Sequence, residues 1–166
     1  MRLEAMAVQI PYVDKHPNRV AFEGVLTVVN AASDKAPSGA RGHRVILTRE
    51  AAEKALPSLL GMAVDYRLGW DGHDARRKIG LLTEADLVGS RLMVRGYLYA
   101  RDFPEVAMAI VVHAPEKLGM SYELADAHVE DMRAEIWKLT RVTFTGAAIL
   151  LRDKAAYRAT SFRMAR

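Results

Sequence analysis

The 166-residue sequence contains no cysteine, which excludes a disulfide framework, a thiolate metal site and a thiol nucleophile. The fold must therefore be held by burial. Long apolar runs are missing too: the longest, residues 106–112, falls far short of the roughly 20 residues needed to cross a bilayer. Met1 leads into Arg2, Leu3 and Glu4 rather than into an apolar leader, so a cytoplasmic protein with no membrane partner is expected. Aromatic residues make up only 7% and do not alternate with basic ones, as a base-stacking platform requires. A strong excess of one charge is also absent, since 24 Lys+Arg stand against 20 Asp+Glu for a net charge of +4. Only Arg76, Arg77 and Lys78, and the tail residues Arg152, Lys154, Arg158, Arg163 and Arg166, are grouped. Such charge reads as a solvated face and argues against a nucleic-acid partner. What remains, 51% hydrophobic and 27% charged, describes one ordinary globular domain over residues 1–166. The methionines are scattered without a spacing of their own, so they read as core filler, and no cofactor is expected.

Residues 6–13 and 20–29 are rich in β-branched and aromatic side chains and are separated by a polar turn holding Asp14, Pro17 and Asn18, which predicts strand, turn, strand. Residues 31–42 carry Ser33, Asp34, Pro37, Ser38, Gly39 and Gly42 without periodicity and read as an exposed loop. A short strand over 43–47 precedes a helix capped by Thr48 and kinked at Pro57, ending at Gly61. Strands follow at 63–66, 79–82 and 91–99, with a turn at Gly89. Asp102 and Glu105 stand at capping-box spacing before a helix whose apolar stripe is Val106, Ala107, Ile110 and Val111, stopped by Pro115. Residues 117–129 and 135–151 read as a long hairpin, and Asp153 opens a short helical turn. Many short strands with two or three helices predict a mainly β, α+β fold: a small closed antiparallel barrel with the helices packed outside.

Strict alternation along 118–124 puts Leu118, Met120, Tyr122 and Leu124 on one face and Gly119, Ser121 and Glu123 on the other. The small Gly119 would leave Ser121 open to an approaching carbonyl carbon. Such a residue is equally an ordinary solvent-facing strand serine. Serine attacks a carbonyl only when a base takes its proton, which histidine does best near neutral pH. Of the five histidines, His16, His43, His113 and His128 occupy turn, strand-start, helix-end and hairpin positions with structural roles. His73 stands in a polar loop beside Gly69 and Gly72, the kind of segment that presents functional side chains at a sheet edge. A metal site of His73 with Asp71 and Asp74 matches none of the specific zinc or calcium ligand spacings. Trp70 and Trp137 read as core or rim packing.

The order of Asp71-Gly72-His73-Asp74 before Ile79-Gly80, then Leu118-Gly119-Met120-Ser121, then Phe144-Thr145-Gly146-Ala147-Ala148, then Lys154-Ala155-Ala156-Tyr157 resembles that of the prohead proteases of tailed phages. These are relatives of the herpesvirus capsid maturation proteases. The resemblance spans residues 47–157 and implies a barrel ringed by helices, acting inside an assembling head in the host cytoplasm. It implies a serine endopeptidase, with Ser121 as nucleophile and His73 as base, that cleaves scaffold and major capsid proteins and itself, and that forms a homodimer or higher oligomer. A loop after the next strand would supply oxyanion donors, which places Gly146 and Ala147 in that role. The third member departs from the pattern: the family's glutamate or second histidine would fall near Lys138. Glu123 is the expected substitute, because two residues along a strand is roughly 7 Å at about 3.3 Å per residue. A Ser121–His73 dyad is the simpler case. The alternatives are a catalytically inactive capsid-assembly or scaffold-binding module on the same barrel, and a basic barrel that binds single strands.

Overall fold

The computed structural model describes residues 7–9, 16–113 and 116–164. Nine strands form one sheet: β1 (Ala7–Gln9), β2 (Arg19–Val28), β3 (Arg44–Leu47), β4 (Ala63–Asp65), β5 (Lys78–Val88), β6 (Arg91–Tyr99), β7 (Leu118–Val129), β8 (Ile136–Leu151) and β9 (Ser161–Met164). Two helices accompany them, α1 (Arg49–Ala55) and α2 (Pro104–His113), with short 3-10 turns at Leu56–Leu59 and Arg152–Lys154. The fold is thus mainly β with α, as expected. Of the strand expected at 6–13, only β1 is described, and the rest lies outside the described residues.

Along the sheet the order is β3-β8-β4-β5-β6-β2-β9, with β1 added to β5 and β7 added to β8. The 16-residue β8 organises it. One edge of β8 carries β7 along nearly its whole length. The other edge carries β3 near its start and β4 near its end, both parallel to it. Residues 147–150 of β8 are consequently buried without interruption, as a strand covered on both faces requires. β7 packs across onto β2 and β9, curling the sheet into a half-barrel around one core that includes Phe22, Leu26, Leu47, Leu82, Phe144 and Phe162. Two details differ from the expected barrel. The β8 pairings with β3 and β4 are parallel, and no ladder among the described residues joins β9 back to β3.

Local chemistry accounts for the elements. The Thr48 hydroxyl accepts the Ala51 N–H at 3.2 Å and donates to the Leu139 carbonyl at 3.0 Å, starting α1 and tying it to β8. At Pro57 the chain passes from α-helical to 3-10 geometry, the physical form of the expected kink. Before α2, Asp102 accepts a hydrogen bond from the Asn18 side chain instead of closing a capping box. On α2 itself, Val106 and Ile110 are buried, whereas Val111, expected in the same stripe, is exposed with Met108 and Val112. β9 has no counterpart in the sequence reading.

Candidate active site

The loop between β4 and β5 is pinned at several points. Trp70 adopts a positive φ of 56°, donates its N–H to the Arg67 carbonyl and accepts the Leu151 N–H, both at 2.8 Å. Its ring packs on Tyr66 and edges His113, the rim role expected of it. Asp74 gathers Arg76 and Arg77, and hydrogen bonds from Arg76 hold its carboxyl below the ordinary carboxylate range. The Asp74 N–H donates to Asp65 Oδ1 at 3.3 Å.

This framework carries His73 inward, so that its side chain is only 16% exposed. Nδ1 lies 3.4 Å from Glu123 Oε1 and 3.5 Å from Asp65 Oδ1. Those are charge-contact distances rather than good hydrogen bonds. Both ring nitrogens are buried without a hydrogen-bond partner, an unusual state that invites a functional explanation. The other loop acids point elsewhere, Asp71 to Arg67 at 3.6 Å and Asp74 to Arg76 and Arg77. Among the described residues no cluster of three or more His, Asp or Glu has an arrangement that could hold a metal.

Ser121 stands on β7 opposite Ala148, partly exposed, and lines the same cleft of about 880 Å³ as His73 and Glu123. The loop over 35–41 forms one wall, and Leu124, Val129, Met132, Trp137 and Leu139 extend an apolar floor towards the hairpin tip. Gly119 is not the open space expected beside Ser121. It is buried, and a Cβ there would lie 2.5 Å from Thr160 Oγ1 and 3.2 Å from Arg152 Cα. Access to Ser121 therefore comes from the His73 and Glu123 side.

Gly146 and Ala147 are not in a loop but in the interior of β8, opposite Glu123 and Tyr122. Ala147 is flanked on its other edge by Val64 of β4. A strand paired on both edges at Ala147 and on one at Gly146 stands where a loop was expected, which corrects the placement of these two residues in a loop. Lys138 pairs with Glu130 at 3.3 Å near the hairpin end, about ten residues from Ala148 along β8 and so roughly 30 Å from the site. The β8 residue that does line the cleft beside Glu123 is Thr145, skipped by the register between the Glu123–Gly146 and Leu124–Phe144 pairs. A bulge of this kind re-aims side chains next to a site. His128 is exposed, opposite Arg141 further along the hairpin, and His43 stacks on Trp137 at 4.4 Å.

Asp65 escaped the sequence reading. Its signal was an acid inside the strand Ala63-Val64-Asp65, where acids are depleted and where burial demands a partner.

No protein-family model matches the sequence, and no curated protein does. Among solved structures, the fold is similar to that of a KSHV protease crystallised with a hexapeptide phosphonate inhibitor, with a TM-score of 0.55 at 14% identity. The match covers 89% of this chain and 65% of that one, so the chain spans less than two thirds of the protease it resembles. Among the described residues no helix is long and apolar enough to cross a membrane.

Proposed function

We propose that this chain is a serine endopeptidase that processes scaffold and major capsid proteins, and itself, during maturation of a phage prohead. The observation that carries the proposal is the buried, unpartnered His73 imidazole beside two carboxylates, in the cleft that Ser121 lines. Ser121 and Glu123 share one face of β7, roughly 7 Å apart. An imidazole held at Glu123 is the right size to span that interval.

In this reading Ser121 Oγ attacks the scissile carbonyl carbon while His73 accepts the hydroxyl proton at Nε2. His73 then gives that proton to the leaving amine as the peptide C–N bond breaks, and water repeats the sequence on the acyl-enzyme. A carboxylate at Nδ1 stabilises the imidazolium formed in each half-reaction, and Glu123 is one of two within reach. Similarity of fold to a protease that takes a hexapeptide phosphonate supports a peptide substrate. The cleft volume lies within the usual range for ligand sites. A homodimer or higher oligomer belongs to the same reading, supported by the exposed apolar face of α2.

The purified protein should react with a fluorophosphonate probe. A Ser121→Ala variant should not react, and a His73→Ala variant should react at least about 100-fold more slowly. Labelling that persists in Ser121→Ala removes Ser121 from the mechanism. The departure from the family's third member, expected near Lys138, favours one rival, a binding module that kept the fold without the chemistry. That rival predicts a folded protein that binds capsid or scaffold segments and never labels.

A further inference from the structure

We infer that Asp65, not Glu123, is the residue that positions His73, and that the site runs from Asp65 on β4 across β8 to Ser121 on β7, with His73 brought in from the β4–β5 loop. This rests on the serine-protease reading above and deepens it.

The sheet register carries the inference. Ala148 of β8 pairs with Ser121 of β7 on one edge and with Asp65 of β4 on the other. Residues directly paired across a sheet point their side chains to the same face, and adjacent strands lie about 4.8 Å apart. Asp65 and Ser121 therefore flank Ala148 on one face, roughly 10 Å from each other. Ala148 is fully buried between them and its methyl group is short. His73, whose Nδ1 lies 3.5 Å from Asp65 Oδ1, enters over this row from the β4–β5 loop.

The two carboxylates at Nδ1 are unequal. A neutral imidazole has a single N–H, and when that proton is on Nδ1 one carboxylate dominates. The Asp65 side chain is 7% exposed and that of Glu123 is 45% exposed. Interaction with Asp65 is thus less screened, and its shorter side chain on a strand held between β5 and β8 loses less freedom. Asp65 Oδ1 also accepts the Asp74 N–H, so the oxygen that faces the ring at 3.5 Å is the one that anchors the backbone beside it. Glu123 closes the solvent side of the ring. The Nδ1–H tautomer held by Asp65 leaves Nε2 free to take the Ser121 proton.

The test pairs Asp65→Asn with Glu123→Gln in the full chain. Asn at 65 keeps an acceptor for the Asp74 N–H, and Glu123 is exposed, so both variants should retain the wild-type thermal midpoint closely. Fluorophosphonate labelling should slow by about 10²- to 10⁴-fold in Asp65→Asn and by less than about 10-fold in Glu123→Gln, with partial recovery in Asp65→Glu. Independently of activity, ¹⁵N–¹H correlation of the neutral His73 ring should show the Nδ1–H tautomer in the wild type and in Glu123→Gln, and a shift towards Nε2–H in Asp65→Ala. A larger loss in Glu123→Gln than in Asp65→Asn overturns the inference, and so does a wild-type ring in the Nε2–H form. If no form of the protein labels, the protease reading fails, and the tautomer measurement still decides what Asp65 does.

Discussion

At the residue scale, the site is set as much by what has no side chain as by what has one. Gly119 lets Thr160 and the Arg152 backbone approach β7 beside Ser121. Thr160 is buried, with its hydroxyl given to the Tyr157 carbonyl at 3.0 Å, so it has little room to yield. Gly119→Ala should therefore destabilise the protein by about 1–3 kcal/mol in urea unfolding. Adding Thr160→Ala should recover part of that loss, making the double variant more stable than the sum of the two single effects. Strict additivity would mean that the hydroxyl is not the obstacle. Tyr157 offers a second test. Its hydroxyl lies 3.1 Å from both the Ala31 and Val45 carbonyls, and burial first of all pushes its pKa up to about 12. The folded state thus holds this proton more tightly than the unfolded chain, whose tyrosines titrate near 10. The associated stability is complete below pH 10 and is lost as pH rises through 12, on the order of 3 kcal/mol. Tyr157→Phe should lower stability at neutral pH by about 1 kcal/mol and flatten the alkaline decline. An equally steep decline in the variant would assign it to other groups, of which Tyr122, also raised by burial, is the first to examine.

At the element scale, Thr48 links a helix start to the long strand, and Thr48→Ala should cost about 1–2 kcal/mol in thermal or urea unfolding, since two hydrogen bonds go at once. A change of under about 0.5 kcal/mol would show that water replaces both. That cap was legible in the sequence because capping is a local rule. So were the β7–β8 hairpin, with clear alternation on each arm, and β6, whose observed bounds Arg91–Tyr99 coincide with the expected ones. What stayed hidden is non-local. Ser161–Met164 becomes β9 because β2 offers an edge at Phe22–Val25, not because its four residues announce a strand. β3 and β4 run parallel to β8 through contacts more than eighty residues apart in sequence. Spacing from Ser121 brought Glu123 into the expected site, whereas Asp65, only eight residues before His73, is set on the face of Ser121 by the pairing of both with Ala148, which only the register reveals. The same limit applies to Lys138, where the family's third member was expected: the length of β8 carries that residue to the hairpin end, far from the Ala148 that stands opposite the serine.

At the scale of the whole molecule, an apolar face of α2 stands uncovered among the described residues. Met108, Val111 and Val112 are 73%, 73% and 77% exposed, and their spacing of three and four puts them on one face of α2. Single exposed apolar side chains are ordinary, but three adjoining ones on the outside of a helix whose inner residues Val106 and Ile110 are already buried form the face on which the proposed oligomer would assemble. In a two-fold dimer each copy would present the same helix to the other. Light scattering at micromolar concentration should then give about twice the 18.4 kDa chain mass. The double variant Met108→Asp with Val111→Asp should give the single-chain mass, and should keep the wild-type thermal midpoint when both proteins are compared as monomers, because neither residue contributes to the core. Sulfate should strengthen the association, since apolar burial is favoured by excluded salts, whereas an ion-pair interface would weaken with rising ionic strength. A wild-type protein that stays at the single-chain mass across concentration and sulfate would leave the α2 face without the partner proposed for it. Dimer mass retained in the double variant would move the interface to another surface of the sheet.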